Sequence, residues 1–181
     1  MYLQSLSVED ADAVASRAND FDIAYNAASF GEFPYPYRKE HAHNFINHAV
    51  EQAALGREFH FGIRLDSSSE LVGAAAAANI DVMNRKCEIG YWLGKDYWHR
   101  GYAREAVALL MHFSFSKLGM NSIHARVFPF NHRSINLLNA LGFRKEGVQR
   151  QGRLHRDGFV DEEEYGILLC EYSGIPAIVN F

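Results

Sequence analysis

The sequence predicts an α+β fold in which a central mixed β-sheet is flanked by helices on both faces. Two observations indicate this class. Apolar residues recur at helical spacing through most of the first 55 residues, whereas short β-type runs dominate from residue 59 onward. Later the order becomes strand, loop, helix, strand, helix, strand, which is typical of a sheet covered on both faces. The length of 181 residues fits one domain.

Helical patterns occupy the N-terminal part of the chain. The predicted helices cover residues 8–18, a short segment up to about residue 28, and residues 39–55. Ser7 and Asp10 resemble a capping box for the first helix, although Asp replaces the usual Glu or Gln. Two prolines between residues 33 and 37 exclude a regular helix there, because proline has no amide donor. Gly56 ends the third helix.

Strand patterns and two further helices follow. The predicted strands cover residues 59–65, 71–80, 87–93, 122–127, 143–148 and 160–169, and the predicted helices cover residues 103–113 and 134–141. The strand at 71–80 is rich in alanine, which indicates close packing against a helix. Gly119 and Gly142 close the two helices.

The overall charge argues against nucleic acid as a partner. Lys and Arg number 18 and Asp and Glu number 22, which gives a formal net charge of -4. Dedicated nucleic-acid binding usually relies on a basic footprint. A local basic patch is still sufficient to hold a phosphate group.

The sequence shows no secretion signal and no membrane span. Its first ten residues lack a basic segment followed by an apolar one. Apolar runs such as Ala74–Ala78 are far shorter than the roughly 20 residues that a membrane span needs. Cys87 and Cys170 form no closely spaced pair, and we interpret them as two small buried residues. We therefore predict a cytoplasmic protein with no disulfide and no membrane partner.

The segment Tyr97–Glu105 (YWHRGYARE) carries the clearest signal of a binding site. It joins a predicted strand to a helix, whose first turn leaves about four N–H groups unpaired and favours an anion. Gly101 and Ala103 let a ligand approach the backbone closely, and Arg100 and Arg104 can add charge-assisted contacts. An ordinary helix start is the alternative. Neither GxxxxGK[ST] nor GxGxxG occurs here, which disfavours a P-loop or Rossmann site.

Three segments occur together in a recognisable order: Glu88–Leu93 (EIGYWL), Tyr97–Ala106 (YWHRGYAREA) and Asn131–Phe143 (NHRSINLLNALGF). They resemble the GNAT superfamily of acetyl-CoA-dependent N-acetyltransferases, and most of all its RimJ/RimL-like branch. The resemblance implies one GNAT domain over residues 1–172 and a C-terminal tail over residues 173–181. It also implies a sheet that splays open to take the pantetheine arm of acetyl-CoA.

The same resemblance implies which residues bind acetyl-CoA as a cosubstrate. They are Trp92, Leu93, His99, Arg100, Gly101, Tyr102, Ala103, Arg104 and Asn131. The pyrophosphate would lie on the amides of residues 99–104, and Asn131 would bond the pantetheine amides. A backbone N–H near Trp92 or Leu93 would bind the developing oxyanion. Relatives often carry a small residue at position 99, where this chain has His99.

Glu88 and Ser134 are the candidates for catalysis. Glu88 lies where GNAT enzymes with a glutamate base place it, and an ordinary salt-bridged carboxylate is the alternative. Ser134 stands where RimL-like enzymes place a serine that bonds the thioester sulfur, and helix capping is the alternative. Leu138 replaces the tyrosine that many GNAT enzymes use as the thiolate acid. Arg153 replaces a glutamate of some relatives, so the choice between Glu88 and a water wire as the base stays open.

The predicted reaction is direct transfer of acetyl to a primary amine in a ternary complex. By resemblance a protein N-terminal α-amine is ranked first as acceptor, ahead of a polyamine or a small amine such as an amino acid. The alternatives are a non-catalytic acyl-CoA-binding or regulatory module and a phosphate-ligand binder that takes no CoA. No metal site is predicted, because His41, His43 and His48 lack the i, i+4 spacing of HExxH. The apolar residues 175–181 would dock on their own domain or on a second copy in a homo-oligomer.

Overall fold

The computed structural model describes residues 1–27, 33–156 and 158–174. Seven strands form one sheet in the order β1-β2-β3-β4-β5-β7-β6. The strands are β1 (Tyr2–Ser5), β2 (Phe59–Arg64), β3 (Leu71–Asp81), β4 (Lys86–Leu93), β5 (Ser122–Val127), β6 (Arg144–His155) and β7 (Gly158–Leu168). Strands β4 and β5 pair in parallel and the other neighbours pair antiparallel, so the predicted mixed sheet is confirmed.

Five α-helices accompany the sheet in the described part of the chain. They are α1 (Ala11–Ala18), α2 (Phe21–Ala27), α3 (Lys39–Ala54), α4 (Tyr102–His112) and α5 (His132–Ala140). None of the helices in the described ranges is long and apolar enough to cross a membrane. The tail at 175–181 lies outside the described residues, so its docking and the boundary of the domain at residue 172 stay predictions.

The two faces of the sheet bury separate apolar clusters. On one face, Ile89 and Leu93 of β4 pack with Val107 and Leu110 of α4. On the other face, α1 packs against the alanine-rich strand β3 and α3 packs against α1 and β2, with Val14 and Ile46 fully buried. The small side chains of β3 let helices approach closely on both sides, as the sequence indicated. The prediction of helices on both faces is thereby confirmed.

Three features differ from the sequence prediction. The short edge strand β1 was not predicted, because its four residues mix polar and apolar side chains without clear alternation. Strand β6 reaches His155 rather than residue 148, because irregular pairing with β7 between Gln149 and Arg153 obscures its period. Cys87 is buried as expected, but Cys170 is exposed, so the interpretation of both cysteines as buried was wrong.

The sheet opens between β4 and β5. Their parallel pairing starts at Lys86 with Ser122 and extends only to Glu88 with His124. Beyond that point β4 remains paired with β3, and β5 remains paired with β7. The two strands therefore diverge, and the gap between them forms a cleft at their carboxyl ends.

Candidate active site

The gap between β4 and β5 is the inner part of a cleft of about 470 Å³, which we name the first cleft. Four elements supply its walls: the end of β4, the loop and first turn of α4, the start of α5, and one side of α2. Its lining residues are Asp22, Ile23, Asn26, Ala27, Tyr91, Trp92, Leu93, Tyr97, Trp98, His99, Gly101, Tyr102, Ala103, Arg104, Asn131, Arg133, Ser134, Asn136 and Leu137.

The first turn of α4 presents backbone amides to this cleft. Its first helical hydrogen bond runs from the Glu105 N–H to the Gly101 carbonyl, at 3.2 Å. The N–H groups of residues 102–104 therefore have no partner within the helix, and the helix dipole favours an anion beside them. Gly101 has a φ of 81°, a left-handed conformation that glycine adopts without strain.

His99 also lies in the left-handed region, with a φ of 61°. That conformation disfavours residues with a Cβ, although histidine tolerates it better than most. This backbone geometry accounts for the small residue that the resemblance implies at position 99. His99 lines the first cleft, whereas the exposed Arg100 points away from its lining.

One backbone N–H of β4 faces the opening of the sheet. The Gly94 N–H donates to the Val72 carbonyl of β3, at 2.8 Å. Because successive residues of an antiparallel strand point their amides to opposite sides, Leu93 turns its N–H and carbonyl away from β3. The Trp98 indole accordingly donates to the Leu93 carbonyl, at 2.9 Å. Of Trp92 and Leu93, it is therefore Leu93 that offers its N–H to the cleft.

Ser134 is joined to Tyr91 across the cleft. The Tyr91 hydroxyl and Ser134 Oγ lie 2.7 Å apart. Burial raises the pKa of Tyr91 to about 12, so this phenol keeps its proton at neutral pH. The cap of α5 is Asn131, whose Oδ1 accepts from the Ser134 N–H at 3.2 Å. The Ser134 hydroxyl is therefore not the helix cap, and its oxygen lies within hydrogen-bond distance of the Tyr91 hydroxyl inside the first cleft.

Asn131 is held from two directions. Its Oδ1 caps α5, and its Nδ2 donates to the Asn26 carbonyl of α2 at 3.1 Å. Both bonds fix its amide group in the wall of the cleft. One Nδ2 hydrogen and one oxygen lone pair remain for a ligand, because a primary amide offers two donors and two acceptor sites.

Arg133 and Trp98 connect opposite walls of the first cleft. The Arg133 guanidinium lies 4.0 Å from the centre of the Trp98 ring, a distance typical of a cation–π interaction. Neither residue was singled out from the sequence, and neither was Tyr91. Trp98 and Arg133 are 35 positions apart and Tyr91 and Ser134 are 43 apart, so no local spacing could have joined either pair.

Glu88 lies at the point where β4 and β5 separate, but outside the lining of the first cleft. Its Oε1 accepts from Arg126 Nε at 3.0 Å, and its Oε2 accepts from Arg126 Nη2 at 2.7 Å and from Asn79 Nδ2 at 3.0 Å. An ionised carboxylate offers about four acceptor sites, so one remains on Oε1. The hydrogen bonds that Arg126 donates to Glu88 raise the pKa of Arg126 further above its usual range.

The Glu88–Arg126 pair continues into a chain of charges. Arg126 Nη1 lies 3.6 Å from Oε2 of Glu162, whose other oxygen accepts from Arg153 Nε at 2.9 Å. Glu162 is only 5% exposed, so Arg153 and Arg126 compensate a buried negative charge. Arg153 thus compensates charge within the sheet, at the position where the resemblance implies a glutamate in some relatives.

A second cleft, of about 510 Å³, opens on the α3 side of the sheet. Its described lining residues are Ala27, Phe33, Pro34, Tyr37, His41, Asn44, Phe45, His48, His60, Ala74, Ala75, Ala76, Gly90, Tyr91 and Trp92. No aspartate or glutamate is among them, and most are apolar. The second cleft shares Ala27, Tyr91 and Trp92 with the first, so the two clefts meet at β4.

The structure brings together most of the predicted site residues. Trp92, Leu93, His99, Gly101, Tyr102, Ala103, Arg104, Asn131 and Ser134 all line the first cleft. Glu88 and Arg100 do not. The arrangement offers amides for an anion at one end, a hydroxyl pair in the middle, and a second opening beside that pair.

Comparison with known proteins identifies the family. The domain family described as "Acetyltransferase (GNAT) domain" matches residues 1–144. N-acetyltransferase p20 of Bacillus licheniformis, itself uncharacterised, is 32% identical over 95% of this chain and 94% of its own length. The [ribosomal protein uS5]-alanine N-acetyltransferase of Escherichia coli is 31% identical over 52% of this chain and 50% of its own length.

Solved structures show the same fold. RimJ of Mycobacterium smegmatis, in complex with CoA-disulfide, superposes with a TM-score of 0.88 at 24% identity, over 96% of this chain and 84% of that one. Spermidine N-acetyltransferase of Vibrio cholerae, in complex with CoA and spermine, gives a TM-score of 0.81 at 20% identity, over 94% and 96%. Because the family match covers well over half of the sequence, the chain belongs to the GNAT acetyltransferase family and is an N-acetyltransferase.

Proposed function

We propose that the first cleft binds acetyl-CoA and that the acetyl group is transferred to an amine entering from the second cleft. The observation that carries this proposal is the meeting of the two clefts at Tyr91 and Trp92. The unpaired amides of residues 102–104 suit the pyrophosphate, with Arg104 on the rim. We also keep, as expectations from the sequence, that the protein is cytoplasmic and that it forms a homo-oligomer.

The Tyr91–Ser134 pair would stabilise the departing thiolate. Tyr91 stays protonated, and either hydroxyl of the pair can be the donor. In the proposed role Tyr91 donates to Ser134, which leaves the Ser134 hydroxyl hydrogen for the sulfur. A thiol has a pKa of about 8.5, so full proton transfer from a phenol near 12 would be strongly uphill. We therefore assign the pair a hydrogen-bonding role. The proton that finally reaches the sulfur comes from the amine, by way of water.

The Leu93 N–H would stabilise the oxyanion in the same step. It faces the opening of the sheet at the end of β4, close to where the two clefts join. A main-chain donor held by strand pairing needs no reorganisation when negative charge develops on the carbonyl oxygen. Attack of the amine forms the C–N bond, and collapse of the tetrahedral intermediate breaks the C–S bond.

Glu88 would remove the amine proton through a water molecule bound at its remaining acceptor site. Three of its four sites are already used, so one remains to hold this water. An α-amine suits this arrangement, because its pKa of about 7.7–8.0 leaves a large neutral fraction near pH 8. A lysine or polyamine amine, with a pKa near 10.4, is mostly protonated at that pH, so its acetylation would depend more strongly on a base.

The chemistry of the second cleft also favours a protein N-terminus over a polyamine. Its described lining is largely aromatic and aliphatic and contains no carboxylate. A polyamine would bring further cationic groups, which are costly to bury without negative partners. We propose a protein N-terminal α-amine followed by small or apolar side chains as the acceptor.

A panel of acceptors tests this proposal. Calorimetry should first show saturable binding of CoA to the full chain. Mass spectrometry should then detect acetylation of peptides beginning with Ala or Ser, little acetylation of spermidine, and none of the same peptides with blocked N-termini. Spermidine as the best acceptor would overturn the assignment of the acceptor, and absence of CoA binding would overturn the assignment of the first cleft.

Replacement of Glu88 by Gln tests the base. We expect kcat to fall about 100-fold, within the range for general bases, and one limb of the pH–rate profile to disappear. Arg126→Met is the matched control, because it breaks the same ion pair but leaves the carboxylate. A Glu88→Gln variant with an unchanged profile would assign the proton to a water wire alone.

A further inference from the structure

Two histidines that line the second cleft approach a glutamate that is not part of its lining. They are His48 of α3, His60 of β2 and Glu58, which lies between α3 and β2. One ligand atom from each lies within 4.8 Å of the other two. Both imidazoles approach the same carboxylate oxygen, Glu58 Oε2, with His60 Nε2 at 2.7 Å and His48 Nε2 at 3.4 Å.

This grouping could not be found from the spacing of the histidines. His48 is separated from Glu58 by ten positions, and His60 follows Glu58 by two. The packing of α3 on β2 brings the two elements face to face. The sequence-based expectation of no metal site considered only histidines within the helix.

The geometry points to a binding site for one divalent ion of the zinc class, and we propose that these three residues bind it. Zinc takes imidazole nitrogens at about 2.0–2.1 Å and carboxylate oxygens at about 2.0–2.2 Å, which places neighbouring ligands a little over 3 Å apart. The separation of 3.4 Å between His48 and Glu58 already fits, and small side-chain rotations would bring in His60. Two imidazoles and one carboxylate favour Zn²⁺ over Mg²⁺ or Ca²⁺, because those two ions prefer oxygen ligands.

The surroundings of the three residues support ligation. The His60 side chain is 12% exposed and meets the edge of the Phe45 ring, with centroids 5.4 Å apart. His48 and His60 also line the second cleft. A bound ion would therefore be sheltered on one side by aromatic rings and open to water on the side of the cleft, an arrangement with a free coordination position.

His41, the third histidine of the second cleft, does not belong to this set. Its Nδ1 accepts from the Arg38 N–H at 2.9 Å, and its Nε2 lies 3.8 Å from Glu40. His43 on the same helix lines neither cleft. Replacement of His43 is therefore a suitable control, because it removes one histidine from α3 and leaves the three proposed ligands in place.

Zinc titration of the metal-free chain, after removal of any histidine tag, tests the proposal. Competition with a chromogenic zinc chelator should show one Zn²⁺ per chain. Glu58→Gln, His48→Gln and His60→Gln should each weaken that affinity at least about tenfold, the smallest loss typical of a damaged zinc site. His43→Gln should bind zinc as the wild type does.

The Glu58→Gln variant separates ligation from a structural role. Glutamine keeps the volume and can still hydrogen-bond the imidazoles, so thermal stability without metal should stay close to that of the wild type. Cobalt(II) should give visible absorption bands without a thiolate charge-transfer band, and zinc should abolish them. Failure to bind one ion, or equal affinity in Glu58→Gln and the wild type, would overturn the proposal and would leave the assigned acetyl transfer untouched.

Discussion

The two clefts that meet at β4 are built in different ways. The first cleft offers main-chain groups at two points, the amides of residues 102–104 and the Leu93 N–H, in addition to its polar side chains. The second takes its polar groups from side chains that come from different elements, above all its three histidines. A site made of main-chain groups depends on the path of the backbone, whereas a site made of side chains can be altered one residue at a time.

Gly101→Val should have the largest effect, because it acts on the backbone of the first cleft. At a φ of 81° a residue with a Cβ is strained by roughly 1–2 kcal/mol, and a Cβ at this position would have no protein atom within 4 Å. Because Gly101 lines the first cleft, the added side chain would take up space beside the ligand. We expect the dissociation constant of CoA, measured by calorimetry, to rise about 100-fold.

Two matched variants sharpen this contrast. Gly119→Val carries the same strain, with a φ of 69° and open space around the built Cβ, but lies outside both clefts. It should lower thermal stability and leave the affinity for CoA unchanged. Gly90→Leu fills the second cleft without backbone strain, so it should raise the KM of the acceptor and spare CoA binding. Equal loss of CoA affinity in Gly101→Val and Gly119→Val would refute the backbone site.

Replacement of the hydroxyls at the junction should have the next largest effect. Tyr91→Phe and Ser134→Ala each remove one member of the 2.7 Å pair, and a hydrogen bond to a charged group contributes about 1.5–3 kcal/mol. We expect kcat to fall about 10- to 100-fold in each variant, with little change in the dissociation constant of CoA.

The double variant distinguishes a relay from two independent contacts. If Tyr91 acts through Ser134, the double variant should be no slower than the slower single one. Because the pKa of Tyr91 is about 12, its loss should leave the shape of the pH profile between pH 7 and 10 unchanged. Multiplicative losses of kcat would contradict the relay.

The same contrast explains how far the sequence could predict the site. The first cleft can be predicted in part from short contiguous motifs, because a strand end, a glycine and a helix start are neighbours in the chain. Gly101, Ala103 and Asn131 were named from such motifs, and all three line this cleft. The Tyr91–Ser134 pair and the ring of Phe33 beside Trp92 join residues more than 40 positions apart. Such contacts are set by packing, which no local pattern records.

The mixed sheet was predicted for a similar reason. Strands with apolar alternation, such as β4, and helices closed by glycine have local signals. The polar strand β6 does not, since most of its side chains are exposed and its pairing with β7 shifts register. The sequence left the role of Glu88 undecided for the same reason. Its position on β4 could be predicted, but its ion pair with Arg126 depends on the neighbouring strand β5.

Arg133→Ala should give the smallest effect, and it tests whether a side-chain contact between the walls of the first cleft contributes to CoA binding. Its cation–π contact with Trp98 joins the two walls, and such contacts at exposed sites contribute about 0.5–1 kcal/mol. The dissociation constant of CoA should rise about two- to fivefold. Arg133→Lys keeps the charge but loses the planar group that lies over the ring. If the affinity of the lysine variant for CoA is as low as that of the alanine variant, stacking on Trp98 holds the two walls together. If the lysine variant regains affinity, and only at low salt, Arg133 acts instead as a charge beside the anionic ligand. In that case the first cleft depends on side-chain charge as well as on its backbone amides.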